Sequence, residues 1–356
     1  MNIDKFRIKE DSKLDLRDHP TDFTDGFKDK DQAKEDLGKN IERLTELQDV
    51  LYAQNIYALL IIFQAMDAAG KDSVVEHVMS GVNPQGCQVV SFKQPSTEEL
   101  DHDFLWRCQK NLPERGKIGI FNRSHYEEVL VVRVHKEYLL SQQLPDEVKN
   151  DKNIWKHRYR QIRNWEDHLF ENGIHVVKFF LNVSKEEQKQ RFLARIAQPE
   201  KNWKFSSGDV KERALWDDYM KAYEDAIEAT STERSPWYII PADKKWFTRL
   251  AVSNVIVKKL ESMNLRYPVV SDEQKAELAK AKNLLVTQTL EEREQNDGKA
   301  SAIERAIAYD GDPKAVNSDI DRLQAVTAAD VQRVMKKYFT DTNRVVIYYN
   351  QEGAAQ

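Results

Sequence analysis

Between Tyr57 and Ser73 the chain reads Y-A-L-L-I-I-F-Q-A-M-D-A-A-G-K-D-S, and few folds can accommodate that run. Ala58 to Phe63 is an unbroken apolar stretch of strand length, which suits a parallel strand buried on both faces. A tight turn ends at Gly70-Lys71. Val74, Val75, Val78 and Met79 then recur at helical spacing, with Gly81 as the expected stop. Strand, glycine-lysine turn and helix together make a phosphate-binding loop. Backbone amides across Ala68, Ala69, Gly70, Asp72 and Ser73 face an anion at a helix N-terminus, and Lys71 adds a point charge.

The loop departs from the usual G-x-x-x-x-G-K-[ST] at two places. Ala65 replaces the first glycine, which restricts the backbone there, and Asp72 replaces the hydroxyl that normally meets Mg²⁺. Asp67 places a second carboxylate inside the loop. Two acids beside a phosphate site suit recruitment of Mg²⁺ or handling of an acceptor phosphate. The bland alternative is a helix-capping turn with a solvated lysine.

With 356 residues, 40% of them hydrophobic, the chain can bury one large or two smaller cores. No apolar run reaches membrane-spanning length, and the amino end lacks a signal-peptide core. Cys87 and Cys108 are the only cysteines, so a reduced cytoplasm is the expected compartment. A net charge of −5 argues against a nucleic-acid or general polyanion binder; a polyanion would have to be met by a local basic tract.

Further elements follow in order. Residues 1–40 read as a charged arm or solvated helix, and Asp36 to Tyr52 as a packing helix. A second strand, Gln88–Phe92, delivers Lys93 at its carboxyl end, where ligands bind in open α/β sheets. Glu98 to Leu112 reads as one helix carrying His102, Trp106 and Arg107; a lone histidine there is more often structural. The third strand, Lys117–Phe121, leads into N-R-S-H-Y-E-E. Asn122 then occupies the place of a magnesium-binding acid, Arg123 points at a phosphate, and Glu127 or Glu128 supplies negative charge. Trp155 to Leu169 is a basic, aromatic helix whose Arg158, Arg160 and Arg163 are candidates for an anion channel. His175–Val183 and Trp237–Asp243 are the fourth and fifth strands. Between them lies an expected lid, with Arg191 and Arg195 one helical turn apart and suited to clamp a transferring phosphoryl group. Gly208 to Ala229 reads as one long helix.

Q-A-M-D-A-A-G-K-D, S-G-V-N-P-Q-G, H-D-F-L-W-R, F-N-R-S-H-Y-E-E-V, P-E-K-N-W-K-F and P-W-Y-I-I-P-A-D-K-K-W-F occur in the order seen in the polyphosphate kinase 2 family. Residues 5–280 resemble that family, in particular the branch acting on nucleoside mono- and diphosphates. The resemblance implies a three-layer α/β/α phosphate-loop kinase fold with a five-stranded parallel sheet and a helical lid over about residues 186–235. It also implies inorganic polyphosphate as donor, adenine or guanine nucleotides as acceptors, Mg²⁺ (or Mn²⁺ in its place) as cofactor, and a homo-oligomer, dimer or tetramer. Carried over by position, Asp67, Lys71, Arg123, Arg191 and Arg195 are catalytic. Asp67, Asp72 and Glu127 hold metal, while Asn122 and Glu128 join the nucleotide and phosphate site. Lys93, Arg107, Lys201 and Lys204 are assigned to the polyphosphate path. Two other readings stay open: an ATP-dependent nucleoside monophosphate kinase, and an inactive polyphosphate- or nucleotide-binding protein.

The organisation expected is an arm and packing helix over 1–55, a kinase domain over 56–272 and a mainly helical appendage over 273–356. The appendage resembles the closing segment of pitrilysin-type metallopeptidase domains and should end in a strand, Arg344 to Tyr349. No H-x-x-E-H zinc pair occurs anywhere in the chain, so no peptidase activity is expected.

Overall fold

The computed structural model describes residues 1–204, 206–269 and 271–338, which fall into two compact units, Met1–Tyr267 and the residues from Pro268 onward. In the first unit five strands form one parallel sheet in the order β2-β3-β1-β4-β5. They span Ala58–Gln64 (β1), Cys87–Ser91 (β2), Ile118–Asn122 (β3), Ile174–Asn182 (β4) and Trp237–Pro241 (β5). Every residue of β1 is buried, as its apolar run requires of a central strand covered on both faces. Burial of each such Leu or Ile is worth roughly 1.5–3 kcal/mol. The chain leaves β1 toward β2 and β3 and later returns to its other side for β4 and β5. The direction of winding therefore reverses beside β1, where open α/β sheets bind ligands at their carboxyl ends.

Helix α1 (Lys30–Gln54) starts where the Asp29 carboxylate accepts from the Asp31 and Gln32 amides, and it stops at Asn55 in a left-handed conformation. Its Leu44, Leu47 and Leu51 are buried, and it packs along the helix Lys245–Ser262. Helix α2 (Lys71–Val78) follows the phosphate-binding loop directly and ends just before Met79, short of the expected stop at Gly81.

The amino-terminal arm is not solvated. Phe6-Arg7-Ile8 alternates apolar, polar, apolar and pairs antiparallel with β5: Ile8 N donates to Trp237 O at 2.9 Å, and Ile239 N to Phe6 O at 2.8 Å. It thus covers an edge that would otherwise present unpaired backbone groups. The expected helix Glu98–Leu112 is broken into Thr97–Leu100 and Trp106–Gln109. Ser96 and Glu99 form a capping box for the first piece, while the Asp103 carboxylate draws the Leu105 amide into a turn. The expected long helix Gly208–Ala229 is likewise divided at Leu215, into Ser207–Ala214 and Trp216–Thr230.

In the second unit, helices Asp272–Glu292, Asn296–Asp310, Asp319–Ala325 and Ala328–Tyr338 follow one another. Gly311, at φ +70°, ends the second of them, and Asp312 caps the 3-10 turn Pro313–Ser318. The Arg293–Asp319 pair (2.6 Å) and the Lys282 bond to the Gln324 carbonyl (2.8 Å) tie the unit together. The expected terminal strand Arg344–Tyr349 lies outside the described residues.

Candidate active site

The loop between β1 and α2 bends through two left-handed residues, Ala68 at φ +60° and Gly70 at φ +109°. Ala65 is not among the positive-φ residues, so its methyl group is compatible with the turn. Lys71 is buried, and its ammonium donates to the Ala65 carbonyl at 2.9 Å. Burial and the neighbouring Arg123 push its pKa below the usual lysine range, while Asp67, Glu127 and Asp72 pull it back. All four groups therefore act electrostatically on one ammonium.

Arg123 follows β3 with φ +65°, a left-handed backbone that turns its guanidinium across the loop. It donates to Asp67 at 2.9 Å and faces Glu127 at 3.8 Å. Burial raises the Glu127 pKa, with Arg123 and Lys71 opposing the shift. Asn122 donates to Asp72 at 2.6 Å and so orients that carboxylate. Ser73, one residue on, accepts from Arg249 at 2.8 Å.

Asp67, Asp72 and Glu127, expected to share a cation, are not gathered into one cluster. Asp67 and Glu127 flank Arg123, Asp72 turns to Asn122, and among the described residues no set of three His, Cys, Asp or Glu is placed to hold a metal. Such a donor set still fits Mg²⁺, which commonly takes one or two carboxylates and completes its shell with substrate phosphates and water.

Asp67, Arg123 and Glu127 line a cleft of about 410 Å³. Its wall carries Phe104, Val131 and Leu144, and Glu128 lies in the same wall. Arg158 holds Glu128 at 3.0 Å and stacks over Phe104 at 4.6 Å, while Gln142 donates to Glu128 at 2.8 Å. Lys93 and Arg107 line this cleft too, and Arg107 is anchored by the Lys93 carbonyl at 2.8 Å and stacks over Phe92. Lys201 and Lys204 fall in the short turn Pro199–Lys204, and their side chains lie outside the described ones.

The two lid arginines separate. Arg195 sits 3.7 Å from Asp209, whose pKa is raised by burial and by Asp67, so this pair shares the electrostatic field of the cleft. Arg191 differs from expectation: its guanidinium is buried against loop carbonyls and Glu187 and is not presented to the cleft. Helical spacing puts both arginines on one face, yet it does not say how deep that face lies.

Gln188, Asp209 and Arg249 were not legible as site residues. Gln188 is one turn before Arg191, and Arg249 lies just past the K-K-W-F run, so position alone was the available signal. The buried Lys178–Glu166 pair behind the Arg123 turn was also missed, although a lysine inside H-V-V-K-F-F-L demands a partner.

The family model for Polyphosphate kinase 2 matches residues 27–268. The chain belongs to the polyphosphate kinase 2 family. An ADP-polyphosphate phosphotransferase of Rhodopseudomonas palustris is 54% identical over 282 residues, covering 79% of this chain and 98% of the relative. An AMP/ADP-polyphosphate phosphotransferase of Meiothermus ruber is 45% identical over 265 residues, covering 74% and 95%. The crystal structure of Polyphosphate Kinase 2 from Arthrobacter aurescens superposes with a TM-score of 0.70 at 41% identity, over 78% of this chain and 95% of that one. Among the described residues no helix is long and apolar enough to cross a membrane.

Proposed function

We propose that this polyphosphate kinase 2 family member transfers the terminal phosphoryl group of inorganic polyphosphate to nucleoside mono- and diphosphates, reversibly, with AMP and ADP as acceptors and the guanine nucleotides as further candidates. The observation that carries the reading is that Asp67, Arg123 and Glu127, which act electrostatically on the loop lysine Lys71, line a cleft large enough for a nucleotide. The names of the relatives support donor and acceptor alike.

Phosphoryl transfer asks for alignment and charge neutralisation more than covalent help, because the acceptor phosphate is already a nucleophile. In this reading Lys71 exchanges its bond to the Ala65 carbonyl for a phosphate oxygen, and the loop amides hold the same group. Arg123 and Arg195 spread the charge that develops on transfer. Glu128, fixed by Arg158 and Gln142, shapes the acceptor wall. Mg²⁺ held by Asp67, Asp72 or Glu127 would supply further charge neutralisation at the phosphates. Lys93, Arg107, Lys201 and Lys204 remain the proposed contacts for the donor chain, with Arg107 also bonded to the Lys93 carbonyl.

The helical unit from Pro268 onward is proposed to be an appendage without peptidase activity, its metallopeptidase likeness confined to a closing segment. Self-association of the kinase unit belongs to the same proposal. Incubation with ADP or AMP, Mg²⁺ and polyphosphate should yield the next nucleotide up, and deletion of residues 273–356 should leave that rate intact. Transfer only from ATP, or nucleotide binding without turnover, would overturn the reading.

A further inference from the structure

The helix Lys185–Ala197 grips the phosphate-binding loop from beneath through one face. Gln188 donates to the Asp67 carbonyl at 3.0 Å, and Arg191 Nη1 donates to the Ala68 and Ala69 carbonyls at 3.0 and 2.7 Å. Three consecutive loop carbonyls are thus held by two side chains one turn apart. The remaining donors of Arg191 are also committed: Nη2 to the carbonyls of Ala242 (2.6 Å) and Asp243 (3.1 Å), just past β5, and Nε to Glu187 (2.8 Å). A guanidinium has five N–H groups, and here all five meet protein acceptors.

We infer that Gln188 and Arg191 are positioning residues that set the anion-facing side of the loop, and that Arg191 does not itself meet the phosphoryl group. In a planar trans peptide the N–H points opposite to the C=O. Drawing the Ala69 carbonyl onto Arg191 therefore turns the Gly70 amide to the opposite side of the loop, the side on which an anion is cradled. The same grip holds Ala68 in its left-handed conformation, which an alanine does not adopt unaided. Gln188 in turn accepts from Arg213 of the lid helix Ser207–Ala214 at 3.1 Å, so loop and lid share one anchor.

The inference rests on the proposed phosphoryl transfer, but its first test does not. Amide hydrogen exchange of the peptide spanning 66–71 is measured on the full-length enzyme without substrate. Gln188→Leu and Arg191→Lys are each expected to speed it by about 10-fold or more, because local opening tracks the lost ties. A residue that only clamps substrate leaves exchange in the free enzyme unchanged, and that result would overturn the inference even if polyphosphate turnover proved absent. The second test is kinetic. A point-charge ammonium suffices for a phosphate contact but cannot satisfy a fork of five acceptors. Arg191→Lys is therefore expected to be as impaired in kcat as Arg191→Gln, and Gln188→Leu to lose about 10-fold in kcat with KM for the nucleotide unchanged. Near-normal kcat in Gln188→Leu, or recovery of most activity by lysine at 191, would show direct contact instead. Glu187→Gln, at a half-buried position one turn before Arg191, loosens a single tie and is the variant to read if Arg191 variants do not fold: a fall in kcat supports positioning, and an unchanged or raised kcat contradicts it.

Discussion

The Lys71 ammonium and the Ala65 carbonyl, 2.9 Å apart, close the phosphate-binding loop on itself. The lysine is thus stored inside its own loop, buried and next to Arg123, with its pKa lowered. In the proposed reaction an arriving phosphate takes the place of that carbonyl. Lys71→Met should therefore reduce polyphosphate-dependent ATP formation by roughly 10²–10³-fold, the loss typical of removing one transition-state donor. Its thermal midpoint should not fall. A folded pKa below the unfolded one means that the unfolded chain binds more protons, so the ammonium disfavours the fold until pH rises through its ordinary range. Melting curves at pH 7 and pH 10 check this: wild type should gain on the methionine variant as pH rises.

Ala65 and Gly70 stand in the two glycine positions of the loop motif, and only the second has a left-handed backbone. Ala65→Gly should keep full turnover and lose about 0.4–1 kcal/mol, through the greater freedom of the unfolded chain. Gly70→Ala should cost more than that and depress activity as well, because a φ of +109° strains any side chain. Urea unfolding together with steady-state rates separates the two. Equal losses from both substitutions would contradict this account of the loop.

His135 lies between two acids. It is 2.9 Å from Glu212 on the lid helix Ser207–Ala214 and 3.0 Å from Glu137, with the Tyr138 and Tyr219 rings beside it. Burial pulls its pKa down, but the two glutamates more than reverse this, and the value is raised. Stabilisation from the charged histidine is fully present below the ordinary value near 6.5 and is lost as pH climbs through the raised one. The melting temperature of His135→Gln should therefore trail wild type most at pH 6 and converge with it at pH 9. A constant gap across that range would show that the ring acts by packing alone.

All five strands could be read from their apolar runs, because period and length are local properties. The order β2-β3-β1-β4-β5 could not be derived from any one segment; it entered through the resemblance of several motifs together. Lys71, Arg123 and Asp67 could be proposed together because each is attached to the end of a strand or the start of a helix, where open α/β sheets bind ligands. Arg191 was misread because spacing reports a shared face and is silent on what that face touches; here it meets backbone carbonyls remote in sequence, which leave no trace in side-chain identity. The arm failed for a related reason. Phe6 and Ile8 are two apolar residues amid charges, and their partner strand begins more than two hundred residues later.

Lys178 and Glu166 test the support behind the catalytic turn. Lys178 is fully buried in the middle of β4, where it donates to Glu166 at 2.5 Å, to the Tyr126 hydroxyl at 3.1 Å and to the Thr230 carbonyl at 2.8 Å. Tyr126 donates to the other Glu166 oxygen at 2.9 Å, and it lies three residues from Arg123. Taking either charge away strands the other in a site without water access. Lys178→Met or Glu166→Leu alone should cost roughly 3–5 kcal/mol, whereas the double variant, an apolar pair of similar volume, should recover most of the loss. If the turn depends on these charges for shape, kcat of the double variant stays low although its stability returns, since Tyr126 has lost the groups that fix its hydroxyl. If stability and kcat recover together, the pair serves the core alone and Arg123 is held by its own loop.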